Sequence, residues 1–95
     1  MPVPIVFIGR PIKVEPLRAH EGRVIVADLD PRYVVTVRVM SILAGAAPWT
    51  SDDPSFAIHS PSRTFRTADT PQGEHEFRLE RDGSRWALTA TPLRK

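Results

Sequence analysis

Apolar and polar residues alternate along much of the chain, and a period of two predicts β-strands. No segment longer than two turns places apolar residues at the i, i+3, i+4 and i+7 positions of a helix. Ten prolines are spread along the chain, so they leave little uninterrupted length for helices and instead separate strands. The pattern therefore predicts an all-β protein.

A β-hairpin is predicted near the C-terminus, where Asp82-Gly83 is a pair typical of a two-residue type I′ turn. Such a turn sets the strand register, and here it places apolar residues opposite apolar ones. One face is expected to be buried and the other to carry the charges. The predicted facing pairs are Leu79–Trp86, Phe77–Leu88 and His75–Ala90 on the buried face, and Glu80–Arg85, Arg78–Ala87 and Glu76–Thr89 on the exposed face.

Turn residues predict the remaining strands. Asp30-Pro31 fits a type I turn that would join residues 23–29 and 33–42 in a second hairpin, and both segments are apolar enough for central strands. The run Thr70-Pro71-Gln72-Gly73 is a third predicted turn, which joins a strand at residues 63–69 to the C-terminal hairpin. The other predicted strands are a short one at residues 55–59 and an edge strand, set by its prolines, at residues 12–17.

Counted from residue 12, these signals give seven short strands joined by turns. The count and the chain length resemble the immunoglobulin and fibronectin-type-III-like modules. Residues 70–79 (TPQGEHEFRL) resemble the entry to the penultimate strand of such domains, with His75 where the family often has Tyr. The resemblance implies a two-layer antiparallel β-sandwich over residues 12–92. A jelly roll or a small β-barrel that uses residues 3–8 as a strand is the alternative.

Length and composition narrow the class of protein. Ninety-five residues form one domain, residues 1–95, and the absence of cysteine excludes disulfides and thiolate metal sites. The N-terminus lacks the basic region and apolar stretch of a signal peptide, and no apolar run approaches the ~18 residues of a membrane span. We therefore expect a cytoplasmic protein, or a virion protein if the resemblance to phage and virus modules described below holds. Basic and acidic residues are interspersed and the net charge is only +2, which disfavours nucleic-acid binding.

The sequence contains no motif that indicates catalysis. His20, His59 and His75 lack metal-ligand spacing, and the carboxylates of residues 28, 30, 52 and 53 are explained by turn chemistry. There is no Gly-x-Ser-x-Gly nucleophile motif, and the five glycines form no phosphate-binding loop. We predict a protein that is not an enzyme and that has no metal, cofactor or small-molecule substrate.

Two segments exceed what a minimal β-sandwich needs. Residues 1–9 contain the apolar run with Ile5, Phe7 and Ile8, which is either the first strand of the protein's own sheet or an arm that adds a strand to a neighbour. Residues 44–54 form a long predicted loop around Trp49, whose ring either folds back over the protein or anchors a partner. Ile5, Phe7, Ile8 and Trp49 are therefore the candidate interaction residues.

These features predict a non-catalytic structural or interaction protein whose partner is a larger assembly or a homo-oligomer. The resemblance to small sandwich modules of phage and virus particles implies a virion protein, either a capsid decoration or a tail accessory protein. The alternative is a soluble protein-binding inhibitor or an adhesion or binding module.

Overall fold

The structure, a computed structural model, describes residues 4–65, 73–83 and 85–93. Within these residues the chain consists mainly of β-strands, with one short 3₁₀ helix and one short α-helix. The all-β prediction is therefore confirmed. In chain order the elements are β1 (Ile5–Pro16), the 3₁₀ helix (Leu17–Ala19), β2 (Ile25–Val26), β3 (Tyr33–Ala44), β4 (Ser55–Ile58), α1 (Pro61–Phe65), β5 (His75–Asp82) and β6 (Arg85–Pro92).

The described strands form one mixed sheet in the order β2-β4-β3-β1-β5-β6. All neighbouring strands are antiparallel except β2 and β4, which are parallel. The sheet curls into a half-barrel, so that its two terminal strands, β2 and β6, contact each other. A two-layer immunoglobulin-like sandwich is not confirmed, because the described strands hydrogen-bond into a single sheet.

Residues 5–8 and 12–16 of the segments predicted at residues 3–8 and 12–17 are two parts of one strand, β1, whereas residue 3 lies outside the described residues. It pairs with β3 along nearly its whole length and with β5 from Ile5 to Gly9. Within the N-terminal segment of residues 1–9, Ile5–Gly9 thus belong to the first strand of the protein's own sheet, near its centre. Beyond Gly9, β1 is paired on one side only, and this half contains Pro11 and Pro16, where the missing N–H groups are tolerated.

Three register shifts bend the long β1–β3 ladder. At each shift one strand contributes an extra residue that has no partner opposite: Met40 and Leu43 on β3, and Ile12 on β1. Such bulges bend a strand and increase its twist. They therefore supply the curvature of the half-barrel.

The C-terminal hairpin forms, but its predicted register is wrong by two residues. Leu79 lies opposite Leu88 and Arg81 opposite Trp86, because the connection is centred one residue later than Asp82-Gly83. A shift of two keeps every side chain on its predicted face. The predicted pairs on the charged face change in the same way, and Glu80 lies opposite Ala87.

The second predicted hairpin is wrong. β2 pairs in parallel with β4, and β4 lies between β2 and β3. The loop around Asp30-Pro31 crosses the end of β4, where the backbone N–H of Arg32 donates to the carbonyl of Ile58 at 2.8 Å. The turn residues therefore reverse the chain without pairing the strands on either side of them.

The other predicted strands have mixed outcomes. The strand predicted at residues 55–59 is confirmed as β4, whereas the one at residues 23–29 shortens to β2. Residues 63–65 belong to α1, which corrects the first part of the strand predicted at residues 63–69. The rest of that strand and the first three residues of the predicted turn at residues 70–73 lie outside the described residues.

The core lies on the concave face of the sheet and is centred on Phe7. Its ring stacks on Phe77 at a centroid distance of 5.1 Å and on Phe56 at 6.1 Å. Phe65 from α1 meets the edge of Phe77 at 5.9 Å and closes the core from the side of β6. The remaining buried members of this cluster are Ile5, Ala27, Val35, Val37, Ile58, Leu79, Leu88 and Ala90.

Gly9 sits where the ladder is most crowded. A Cβ at this position would lie 2.6 Å from Cγ1 of Val37 and 2.9 Å from the backbone oxygen of Arg38. Replacing glycine by alanine in an extended strand normally stabilises it. At Gly9, however, the close approach of β3 reverses that expectation.

We predict that Gly9→Ala lowers the free energy of unfolding by about 1–3 kcal/mol, because the new methyl group forces β1 and β3 apart. Urea unfolding of the purified protein measures the effect. In a double-mutant cycle, Val37→Ala removes the nearest clashing atom, so its own cost and that of Gly9→Ala should be less than additive. An unchanged or increased stability for Gly9→Ala alone would contradict the packing of this ladder.

Candidate interaction surface

The structure places two of the three candidate residues of the N-terminal segment, Ile5 and Phe7, inside the molecule. Phe7 is fully buried and Ile5 is 3% exposed, and both belong to the core cluster. Ile8 alternates to the convex face and is half-buried. The prediction that these side chains contact a partner is therefore corrected for Ile5 and Phe7, because they complete the protein's own core.

Trp49 folds back onto the core. Its ring meets Phe7 edge-on at 5.1 Å and Phe56 at 5.7 Å, with interplanar angles of 69° and 88°. It remains half-buried. The structure therefore agrees with the first interpretation of the predicted loop, in which the Trp49 ring folds back over the protein.

The second half of β3 exposes a run of apolar side chains that sequence analysis did not select. Met40, Ile42 and Leu43 are 55%, 46% and 53% exposed, and Ser41 between them is exposed as well. We call residues 40–43 the β3 edge. Elsewhere in the described chain the large exposed apolar residues are separated from one another in sequence: Ile12, Val26, Leu29, Tyr33 and Leu93.

The β3 edge is open because β4, the neighbour of β3 on that side, does not extend alongside residues 40–43. β4 pairs with β3 only as far as Thr36, after which the N–H groups of Val37 and Val39 donate to the carbonyls of Pro54 and Asp52, both at about 3.0 Å. Beyond Val39, none of the described backbone groups pairs with this side of β3. Met40 and Leu43 are the extra residues of two bulges, so they lack a partner across the ladder as well.

The sequence does contain a signal for this edge. Between Arg38 and Asp52 there is no charged residue, whereas natural edge strands are commonly protected by charges. The sequence pattern predicts that residues 33–42 form a strand buried on both faces, which holds for Val34 and Val35 but not beyond Val39. An apolar run without alternation is compatible with a covered strand and with an exposed edge, and only the position of β4 distinguishes them.

Polar side chains gather on the convex face beneath the segment that leads from β1 to β2. His20 Nδ1 donates to Glu15 Oε2 at 3.2 Å, and Lys13 Nζ lies 3.3 Å from the same oxygen. The hydroxyls of Thr36 and Ser55 are hydrogen-bonded to each other at 3.0 Å beside this pair. The hydrogen bond from His20 holds the pKa of Glu15 below its ordinary value.

A cleft of about 510 Å³ lies between residues 20–25 and residues 48–55, with Trp49 and Ser55 in its walls. At its rim Arg38 binds both carboxylate oxygens of Asp53, at 3.0 and 3.2 Å. This hydrogen bonding lowers the pKa of Asp53 and raises that of Arg38. The charged groups at the rim therefore satisfy each other, and none of the described buried side-chain polar atoms lacks a hydrogen-bond partner.

His75 and His59 each form a hydrogen bond with a backbone carbonyl. His75 is 2% exposed and donates from Nδ1 to the carbonyl of Gly73 at 3.1 Å, with its ring against Phe65. His59 donates in the same way to the carbonyl of Asp30 at 2.9 Å. Within the described part of the chain, no three His, Cys, Asp or Glu residues are grouped closely enough to hold a metal ion.

No helix in the described residues has the length and apolar character that crossing a membrane requires. Comparison with known proteins identified no matching family, no matching curated protein and no matching solved structure.

Trp49→Ala should lower the free energy of unfolding by about 2–4 kcal/mol, because it removes the edge-on contacts with Phe7 and Phe56 and opens the core. Trp49→Phe keeps an aromatic ring in place and should cost clearly less. Thermal and urea unfolding measure both variants. If Trp49→Ala were as stable as the wild type, the ring would not contribute to the core.

The ion pair of Glu15 should make the protein sensitive to acid. Because the folded-state pKa lies below the ordinary value of 4.5, the contribution of Glu15 is complete above pH 4.5 and is lost as the pH falls through the lowered pKa. Glu15→Gln should therefore reduce stability at neutral pH and flatten its decline in that acidic range. Glu76→Gln, at an exposed position of β5, is the matched control and should leave the decline unchanged. A pH series of unfolding curves tests this, and equal declines in wild type and Glu15→Gln would contradict it.

Proposed function

We propose that this is a non-catalytic interaction protein that docks on a protein partner through the β3 edge. The observation that carries the proposal is the run of exposed apolar side chains along an open strand edge, described above for residues 40–43. Exposed apolar patches on soluble proteins commonly mark interaction sites. An open edge also offers backbone groups to which an extended segment of a partner can add as a further strand.

The position of the edge on the fold favours this proposal. Ser41 and Ile42 of the edge pair with Ile8 and Phe7 of β1, so its backbone is held on one side by the long β1–β3 ladder. Met40 and Leu43 stand on bulges, which re-aim side chains without disturbing the core. A docking strand would therefore meet a preformed surface and would not require the protein to reorganise.

In its finer form, the proposal is that the partner is a larger assembly and that the protein is a virion component, either a capsid decoration or a tail accessory protein. Small size and the sequence resemblance to sandwich modules of phage and virus particles support this form. A virion or cytoplasmic location belongs to the same proposal. Capture of a single soluble protein would instead favour the inhibitor or adhesion alternative.

The test uses the full-length protein as bait in an extract of the cells that produce it. Met40→Lys/Leu43→Lys places two charges on the β3 edge at positions that are exposed in the fold, and it should reduce the captured partner at least about tenfold. Leu29→Lys is the matched control, since Leu29 is 72% exposed but lies on the loop after β2. Capture should be unchanged in this control.

Quantitative mass spectrometry compares the three baits, and circular dichroism verifies that each is folded. Capsid or tail proteins among the edge-dependent partners would support the virion form. If Met40→Lys/Leu43→Lys captured the same partners in the same amounts as the wild type, the assignment of the β3 edge would be overturned.

A further inference from the structure

We propose that the cleft between residues 20–25 and residues 48–55 binds a small zwitterion that carries an apolar group, which is the chemistry of a free α-amino acid with an apolar side chain. None of the four residues of the β3 edge lines this cleft, so it is a second site, separate from the proposed docking surface. Its volume of about 510 Å³ falls within the range of roughly 300–1,000 Å³ that is typical of small-molecule sites. The inference concerns binding without reaction, so the protein remains non-catalytic.

The ring of His20 is oriented so that one of its nitrogens is left for a ligand. Its side chain is only 12% exposed, and Nδ1 donates to Glu15 Oε2, so the neutral imidazole carries its proton on Nδ1 and keeps a free electron pair on Nε2. Nε2 faces the part of the cleft wall that contains Gly22, where a Cβ would lie 3.8 Å from it. No described group forms a hydrogen bond with Nε2. Because none of the described buried side-chain polar atoms lacks a partner, Nε2 is accessible to solvent, and it offers a fixed acceptor to an N–H group of a ligand.

Two opposite charges line the same cleft without a partner. Glu21 and Arg23 are both exposed at the wall formed by residues 20–25. Within the part of the chain that the structure describes, neither side chain forms a hydrogen bond or an ion pair, with the other or with a third residue. Arg38 and Asp53 at the rim are already bound to each other. A ligand with one positive and one negative group therefore matches the unpaired charges, whereas a ligand with a single charge leaves one of them unmatched.

The wall formed by residues 48–55 contributes apolar surface. Pro48 and Trp49 both line the cleft, and Trp49 is half-buried, so part of its ring remains accessible. Its edge-on contacts with Phe7 and Phe56 hold the ring in place before any ligand arrives. An aromatic surface that is already ordered binds an apolar group without the cost of fixing a mobile side chain. The cleft thus combines sites for an ammonium, a carboxylate and an apolar side chain, the three groups that such an amino acid carries.

Isothermal titration calorimetry of the purified full-length protein tests the inference, with L-leucine, L-methionine and L-phenylalanine as probes. At least one of them should bind at neutral pH with a Kd below about 1 mM. For L-phenylalanine, two analogues separate the charges: phenylethylamine lacks the carboxylate and 3-phenylpropionate lacks the ammonium. Each analogue should bind at least about tenfold more weakly than the amino acid. No binding of any probe up to about 10 mM, or equal binding of either analogue, would overturn the inference.

Charge-removing variants test whether the cleft is the site. Glu21→Gln and Arg23→Gln change exposed positions and should each weaken binding at least about tenfold, with unfolding curves like that of the wild type. Glu76→Gln on β5 and Arg85→Gln on β6 are the matched controls, exposed outside the cleft, and should bind like the wild type. Binding that is unchanged in both cleft variants would overturn the assignment.

Two further measurements locate the ligand. In Trp86→Phe, Trp49 is the remaining tryptophan of the chain, and its fluorescence should change as the amino acid is added. Unchanged fluorescence at saturation would contradict contact with the apolar wall. Met40→Lys/Leu43→Lys should bind the amino acid like the wild type, because neither residue lines the cleft. Failure of amino-acid binding therefore leaves the β3 edge standing, and failure of partner capture at the β3 edge leaves the cleft standing.

Discussion

The rest of the structure depends on the β1–β3 ladder and on the bulges that bend it. β1 contributes Phe7 to the concave face, where its ring holds Phe56, Phe77 and Trp49 together. The same ladder contains the extra residues Met40 and Leu43, which have no partner opposite and are exposed. Core and candidate interaction surface therefore belong to one bent pair of strands. A change that straightened this ladder would alter both.

Side-chain alternation was sufficient to predict which residues of the C-terminal hairpin are buried. His75, Phe77 and Leu79 lie on the core side although the predicted pairing was shifted by two residues. Alternation depends only on the pleat of each strand, and a shift of two residues leaves it unchanged. The exact partner depends on the turn, and Asp82-Gly83-Ser84 allows the chain to reverse at either of two adjacent pairs. The sequence therefore determines the buried face more firmly than the register.

The order of the strands was not predictable in the same way. Turn residues at Asp30-Pro31 indicate that the chain reverses, but not whether the two strands then pair or admit a third between them. β4 occupies that place because Ala27 and Arg32 both donate backbone hydrogen bonds to it, at 2.9 and 2.8 Å. Such contacts join residues about thirty positions apart, and they cannot be predicted from local sequence patterns. The open β3 edge is a consequence of where β4 ends, so it was missed for the same reason.

The charged pairs have a local role in this arrangement. Arg38 and Asp53 are exposed enough that solvent screens much of their attraction, and pairs of this kind contribute little to global stability. Their position in the fold is more important. Asp53 follows Asp52, and the carbonyl of Asp52 accepts a hydrogen bond from the N–H of Val39. This is the last backbone hydrogen bond on this side of β3 among the described residues. The ion pair thus holds the loop at the point where protection of β3 stops. The residues that follow are uncharged, so the boundary between the covered and the open part of β3 coincides with the change from charged to apolar sequence.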